Sequence, residues 1–525
     1  MAEDHGQEPQ TGGVNPWLIA VSVMLATFME VLDTAIATVA LPYIAGSLSA
    51  STDEATWVLT SYLVANAVIL PASNWFSLKF GRKRFLITCI IIFTISSFFC
   101  GAAPSLGFIL VARVIQGAGG GALQPISQAI LLESFPPRKR GMAMAVFAFG
   151  VVVAPIIGPT LGGWLTDTYS WRYAFYINIP VGILAVYMVS RFVHDPSYIK
   201  HAKVRKFDGI GFGLLAVWIG CLQMILDKGQ EDDWFGADWI RWATAILVIA
   251  FIWFVVHEWR KRRHALVDLH TLKDRNFAVG CLLIFFFGVS IYSTITLLPL
   301  FYQELLGYTA FNAGVIVGPR GFGAIIAMPI IGYLTNKWDA RYLLTFGFIV
   351  FGLMSLTFGD VNLSISPWTL FWPIVITGFA LSFVFVPITT QCYATLRNEE
   401  IGNASGIFNL VRNIGGSIGI SVAETLLTRR SALHQNEIVG SLPNTGYWLQ
   451  QQLANLGHFF AQHFGAANGA AAGQAAIYRQ VLTQARLLAF VDVFRWIALL
   501  CFACVAIVWL FKKVQPGRKA AVAAH

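Results

Sequence analysis

The residues equipped for chemistry in this chain are ionisable side chains lodged inside long apolar runs. Glu30 and Asp33 stand three residues apart in the run 17–41, so on a helix both point roughly the same way. Arg113 lies in the run 106–132, and Gln116, Gly117, Gly120 and Gln124 continue its helical face. A charge at bilayer depth costs about 3 kcal/mol or more, so such residues are functional candidates by default. An acid beside an arginine stays ionised, whereas a second acid close by is pushed towards its neutral form. The combination suits proton exchange, with Asp33, Glu30 and Arg113 as the coupling residues. A static buried pair that only orients helices is the competing reading.

Arg320, Arg412 and Glu424 are the other charges held in apolar runs. Arg412 is a candidate substrate contact, although both arginines also fit as anchors for carbonyls freed beside Gly318-Pro319 and Gly415-Gly416. Arg320 is expected to do the latter, and Glu424 to face external water. Gln116, Tyr292 and Phe286 are candidates for lining a mainly apolar substrate cavity. Chemistry on covalent bonds has no support. The run GAGGG (117–121) follows no strand and lacks the Gly-Lys-Ser/Thr of a phosphate loop, and no HExxH or GxSxG occurs. The seven cysteines fall in or at the edge of apolar runs, so disulfide or metal roles are not expected. No cofactor and no enzyme activity are implied.

The elements that must position these residues are membrane spans. Of 525 residues, 56% are hydrophobic and 12% charged, with mean hydropathy +0.65, whereas soluble domains carry about 25% charged residues. Fourteen apolar segments are predicted, at 17–41, 54–78, 84–103, 106–132, 140–165, 173–193, 208–226, 239–259, 276–302, 310–335, 341–358, 367–391, 402–427 and 487–511. The first is too long to be a signal peptide and reads as a retained span. Most of the 36 lysines and arginines fall on one side, in the connections after even-numbered spans and in the last tail. The positive-inside rule therefore puts both termini in the cytoplasm. The formal charge of +9 is accordingly a topology signal and not a nucleic-acid surface.

Two further stretches carry information. GVVVAPIIGPTLGGW (150–164) concentrates Gly150, Pro155, Gly158, Pro159, Gly162 and Gly163 inside an apolar segment. In a bilayer this reads as a kinked helix packed closely on a partner. The connection 428–486 is long and external, and its Leu449, Leu453, Leu456, Phe459, Phe460 and Phe464 fit an amphipathic helix, either a flap on the membrane surface or a docking surface for a periplasmic partner. NWFSLKFGRKRFL (74–86) and GYLTNKWDARYLL (332–344) form a weak internal repeat, the mark of a two-halved transporter with its substrate site between the halves.

Several of these motifs resemble one family. Gly150, Gly158, Pro159, Gly162 and Gly163 match the antiporter motif of drug-proton antiporters in the major facilitator superfamily. LDTAIATVALP (32–42) resembles their first-span signature. RVIQGAGGGALQP (113–125) resembles the fourth-span motif, whose arginine, here Arg113, is implicated in proton coupling. WRYAFYINIPVG (171–182) is similar to the start of their sixth span. In the loop after the second span, Gly81, Arg82 and Lys83 fit the family pattern. Leu78 stands where an Asp is usual and Asn74 where a Gly is, which puts the cytoplasmic charge latch of that motif in question.

By this resemblance the chain is identified as a member of the fourteen-span antiporters of the EmrB type (EmrB/QacA group). The resemblance implies an all-α, polytopic major facilitator fold of two six-helix bundles plus two inserted helices. The divisions expected are a cytoplasmic tail 1–16, a bundle 17–193, a linker with the extra helices 194–275, a bundle 276–511 that includes 428–486, and a tail 512–525. It further implies multidrug efflux from the bacterial inner membrane, driven by the proton gradient, with hydrophobic or amphipathic substrates. A periplasmic adaptor of the EmrA type, an outer-membrane channel of the TolC type and membrane lipids are the implied partners. A proton-coupled symporter importing a small organic solute, or a non-transporting receptor or scaffold, remain as alternatives.

Overall fold

In the computed structural model, residues 15–136, 139–195, 206–261, 265–335, 337–441, 446–464 and 466–513 are described, and every regular element among them is helical. The N-terminal half comprises α1 (Pro16–Ser47), α2 (Thr52–Phe80), α3 (Arg82–Gly101), α4 (Leu106–Ser134), α5 (Arg140–Thr168) and α6 (Tyr173–Phe192). The inserted pair is α7 (Gly209–Lys228) and α8 (Asp238–Lys261). The second half comprises α9 (Arg275–Glu304), α10 (Phe311–Leu334), α11 (Ala340–Phe358), α12 (Pro367–Tyr393), α13 (Asn398–Ser441), α14 (Tyr447–Phe464) and α15 (Ala466–Val508). All fourteen expected apolar segments fall in helices to within a few residues. Thirteen helices are long and apolar enough to cross a membrane. The exception is α13, whose apolar stretch is diluted by Asn, Ser and Gly residues that make a packing seam.

Local chemistry explains several boundaries. Asn15 caps α1 by accepting from the Trp17 N–H, with Pro16 in the first turn where its missing N–H costs nothing. Ser51 and Glu54 form a reciprocal capping box at the start of α2. Between α2 and α3, Gly81 turns the chain at φ +85°, and a Cβ there would fall 2.7 Å from the Asp195 carboxylate. Asp195 accepts from the Lys83 N–H at the amino end of α3.

Two glycine seams build the bundles. Along α5, a Cβ on Gly150 would press on Met24, one on Gly158 would stand 2.3 Å from Ala35 Cβ, and one on Gly162 would crowd Ile36. The helix α1 that carries the acids thus lies directly on α5. Along α13, Gly415, Gly416 and Gly419 bring that helix equally close to Phe285, Tyr292 and Val289 of α9. These two pairings are the most extensive in the molecule, and they occupy corresponding places in the two halves.

Contacts between the halves run from α5 to α10 and α12, and from α2 and α4 to α13. The α5–α10 contact includes Gly163 against Phe311, Thr160 against Gly314 and Ile156 against Gly321. The inserted α7 packs on α8, leans on α2 and touches α13. At its amino end Asp208 accepts from the Gly211 N–H, His257 and Lys261. Burial works to raise the Asp208 carboxyl, but the hydrogen bonds from Lys261, Gly211 and His257 outweigh it and hold the group below its ordinary range.

Among the described residues, 428–441, 447–464 and 466–486 are helical. At 44 residues α13 is about 66 Å long, roughly twice the hydrocarbon thickness of a bilayer. It therefore continues as helix through 428–441, and α15 begins its own extension at Ala466. The expected amphipathic helix is α14, and its Gly457 packs on Gly469 and Gly473 of α15. His434 joins Asp492 at 2.9 Å and Gln435 joins the Tyr478 hydroxyl at 2.9 Å, which ties the extensions together. The apolar spacing was read correctly as helix. Its partner is protein because a helix-to-helix glycine seam fixes it there.

The α1–α5 seam makes a direct prediction. Gly158→Ala should destabilise the protein by about 1–3 kcal/mol through overpacking against Ala35. Gly46→Ala, where nothing lies within 4 Å, should be neutral or slightly stabilising. Thermal unfolding of the two variants in detergent checks this, and equal melting shifts would contradict the seam.

Candidate functional site

The short residues of α4 bring it onto α2. Cβ atoms on Gly117 and Gly121 would stand 2.4 and 2.3 Å from the carbonyls of Tyr62 and Asn66. That approach lowers the Arg113 side chain into the bundle, where it is fully buried. Its Nε donates to the Val58 carbonyl at 3.0 Å, and its guanidinium lies 4.2 Å from the centre of the Tyr62 ring. Its Nη1 donates to Asp33 Oδ2 at 2.7 Å and to Gln116 Oε1 at 2.8 Å.

Asp33 is 1% exposed. Besides Arg113, it accepts from Gln116 Nε2 at 2.9 Å and from Asn178 Nδ2 at 2.7 Å, both on Oδ1. Asn178 in turn donates to Ser97 Oγ at 2.9 Å. Helices α1, α4 and α6 thus meet at one carboxylate that pairs with a guanidinium and accepts from two neutral amides, with α2 and α3 supplying the next partners, Val58 and Ser97. Gln116, expected in the substrate cavity, is placed inside this network with both ends of its amide engaged.

Glu30, one turn away, has a different environment. Its Oε1 accepts from Asn66 Nδ2 at 3.0 Å and its Oε2 from Gln124 Nε2 at 2.5 Å. Both partners are neutral amides. The other end of Gln124 accepts from Arg412 Nη2, which belongs to α13 in the second half. Glu30, Gln124 and Arg412 are all buried, and Arg412 Nε and Nη1 have no hydrogen-bond partner among the described residues.

Further along the seam, towards the end that carries the α2–α3 turn, it is closed by uncharged bridges. Gln128 Oε1 accepts from Asn409 Nδ2 at 2.8 Å and from the Tyr393 hydroxyl at 3.2 Å, while Ser405 Oγ donates to the Pro125 carbonyl at 3.0 Å. Gly402 and Gly406 of α13 lie against Asn74 and Pro71 of α2. At that end Arg82, which opens α3, pairs with Glu133 at the end of α4. Two acids from other elements stand near this turn: Glu133 pairs with Arg82, and Asp195 accepts from the Lys83 N–H.

The remaining candidates lie apart. Tyr292 is half-buried over Gly416, and Phe286 is half-buried beside Phe285. Neither contacts the Asp33 network. Arg320 is buried in α10, and its Nε and Nη2 have no partner among the described residues. Glu424 is exposed on the surface of α13. Sequence reasoning passed over Asn66, Ser97 and Asn178. Neutral amides do not stand out by charge, although Asn178 lies within the quoted segment 171–182. All seven cysteines are buried and unpaired.

Comparison with known proteins agrees with this architecture. Residues 23–420 match the Major Facilitator Superfamily model. The chain is 38% identical over 441 residues to the multidrug export protein EmrB of Escherichia coli K12, covering 83% of this chain and 85% of that one. It is 36% identical over 509 residues to the fatty acid resistance protein FarB of Neisseria gonorrhoeae, covering 96% and 97%. Among solved structures it is similar in fold to the proton:xylose symporter XylE, with TM-score 0.57, 15% identity and coverage of 92% and 94%.

Removing Asp33 should cost more than removing any of its neutral partners. Asp33→Asn leaves Arg113 buried without a counter-ion, a loss of about 3–5 kcal/mol, whereas Asn178→Ala removes one neutral donor, about 1 kcal/mol. Unfolding in detergent gives both values, and an Asp33→Asn protein as stable as the wild type would contradict the ion pair.

Proposed function

Because the chain belongs to the major facilitator superfamily, within the group of the EmrB multidrug export proteins, we propose that it exports hydrophobic or amphipathic toxic compounds in exchange for protons, by rocking its two six-helix bundles about a site between them. The observation that carries the coupling is the unequal treatment of two buried acids on one helix turn. Protonating Asp33 would separate an ion pair in a dry interior, which is costly. Protonating Glu30 disturbs only hydrogen bonds to two neutral amides. Glu30 is accordingly the acid that takes a proton from outside and releases it inside. Asp33 and Arg113 hold α1, α4 and α6 in the geometry that keeps Glu30 in place.

The glycine seam of α5 supports a second part of the reading. With no room for water between α1 and α5, protons have no path past Glu30 along that face. Substrate would lie between the bundles, near Arg412, with Phe286 and Tyr292 of α9 on its apolar side. The helical extensions of α13 and α15 with α14 favour an external partner, for which a periplasmic adaptor of the EmrA type and an outer-membrane channel of the TolC type are the proposal. The basic bias of the even-numbered connections favours the bacterial inner membrane with both termini cytoplasmic.

Reconstituted into liposomes with an imposed proton gradient, Glu30→Gln should reduce gradient-driven transport of a lipophilic dye by about two orders of magnitude, the scale for losing an acid–base group. Dye binding without a gradient should persist. Gradient-driven transport at the wild-type rate by that variant would remove Glu30 from the mechanism.

A further inference from the structure

We propose that Gln124 is the positioning residue that transmits the protonation of Glu30 to the contact between the two bundles, an inference that rests on the reading of Glu30 as the exchanging acid. A carboxylate only accepts hydrogen bonds and a guanidinium only donates them. A single side chain that joins the two must therefore donate at one end and accept at the other. Gln124 does so, with Nε2 on Glu30 and Oε1 receiving Arg412. The orientation of the amide is dictated by its two neighbours. Glu30 and Gln124 belong to one bundle and Arg412 to the other, and all three are cut off from solvent.

Addition of a proton to Glu30 changes what Gln124 can do. If the proton sits on the oxygen facing Gln124, that oxygen becomes a donor and the amide must invert. Its NH2 would then face Arg412, donor against donor, and the bridge breaks. If the proton sits on the oxygen facing Asn66, the bridge keeps its geometry but loses the ionised acceptor that makes such bonds strong. In both cases the only strong acceptor for the Arg412 guanidinium weakens, since Nε and Nη1 have none and the Asn413 amide lies at 3.4 Å. The other charged or titratable groups near Glu30 are Asp33 on its own helix and Tyr62 from α2. Asp33 is committed to Arg113, so Arg412 is the group left to respond. The neighbouring bridges from Gln128 and Ser405 contain no acid. They close the same seam in either protonation state, and Gln124 is the member of the set that senses the proton.

The test uses the full-length protein in nanodiscs, with spin labels at Phe80 of α2 and at Trp338 before α11, both exposed in the two halves near the cytoplasmic ends. The wild-type distance distribution should shift between mildly alkaline and mildly acidic pH. Gln124→Leu should abolish that shift and lower gradient-driven dye export about tenfold, with dye affinity unchanged. Gln124→Glu, which offers Arg412 an acceptor of its own, should hold the alkaline distribution at both pH values. A wild-type pH shift in both variants would overturn the role of Gln124. If Glu30→Gln itself retained the pH shift and the export, the failure would lie with the acid and not with the bridge.

Discussion

The ion pair between Asp33 and Arg113 is the constraint that the first half of the molecule is built around. Each charge alone would be prohibitive at that depth. Together they need four helices to deliver the Val58 carbonyl, the Gln116 and Asn178 amides and the Tyr62 ring at hydrogen-bonding or contact distance. Those helices can come so close only because glycine lines α4 where it meets α2, and α5 where it meets α1. The small residues and the buried charges are thus one feature: the seams permit the network, and the network fixes the register of the seams.

The second half repeats the device, with α13 glycines on α9 in place of α5 glycines on α1. Between the bundles, short polar bridges and glycine contacts take the place of ion pairs. Glu30 stands where these two regimes meet. It shares a helix turn with the rigid pair, and through one amide it touches the opposite bundle. An acid at that junction can report its charge state to the moving surface without disturbing the scaffold, which is the physical content of the proposed exchange mechanism.

Much of this was legible in the residues themselves. Charges in apolar runs stand out because hydrocarbon penalises them, so Glu30, Asp33, Arg113 and Arg412 could be picked directly. The glycine pattern of α5 declared a close helix pairing, and α1 proved to be its main partner. Neutral amides escaped notice, because Asn and Gln are tolerated in spans for many reasons and only geometry shows that Asn66 and Asn178 serve the two acids. Gln116 was assigned towards the cavity because its helical face was known but not the neighbour on that face. The loss of an acid at Leu78 looked like a gap in sequence. In space, Glu133 and Asp195 stand near that turn from other elements, and no local pattern records that. The stretch 428–486 looked like a loop because its hydropathy falls, although its helical spacing continues from the flanking spans.

The central claim is that the two acids of α1 are not equivalent: Asp33 is committed to an ion pair with Arg113, and Glu30, held by two neutral amides, is the proposed site of proton exchange. Infrared difference spectra of the reconstituted protein between mildly acidic and mildly alkaline pH read this directly through the stretching band of a protonated carboxyl. The account predicts a titrating band that vanishes in Glu30→Gln and persists in Asp33→Asn. A band that persists without Glu30 and disappears with Asp33 would contradict it.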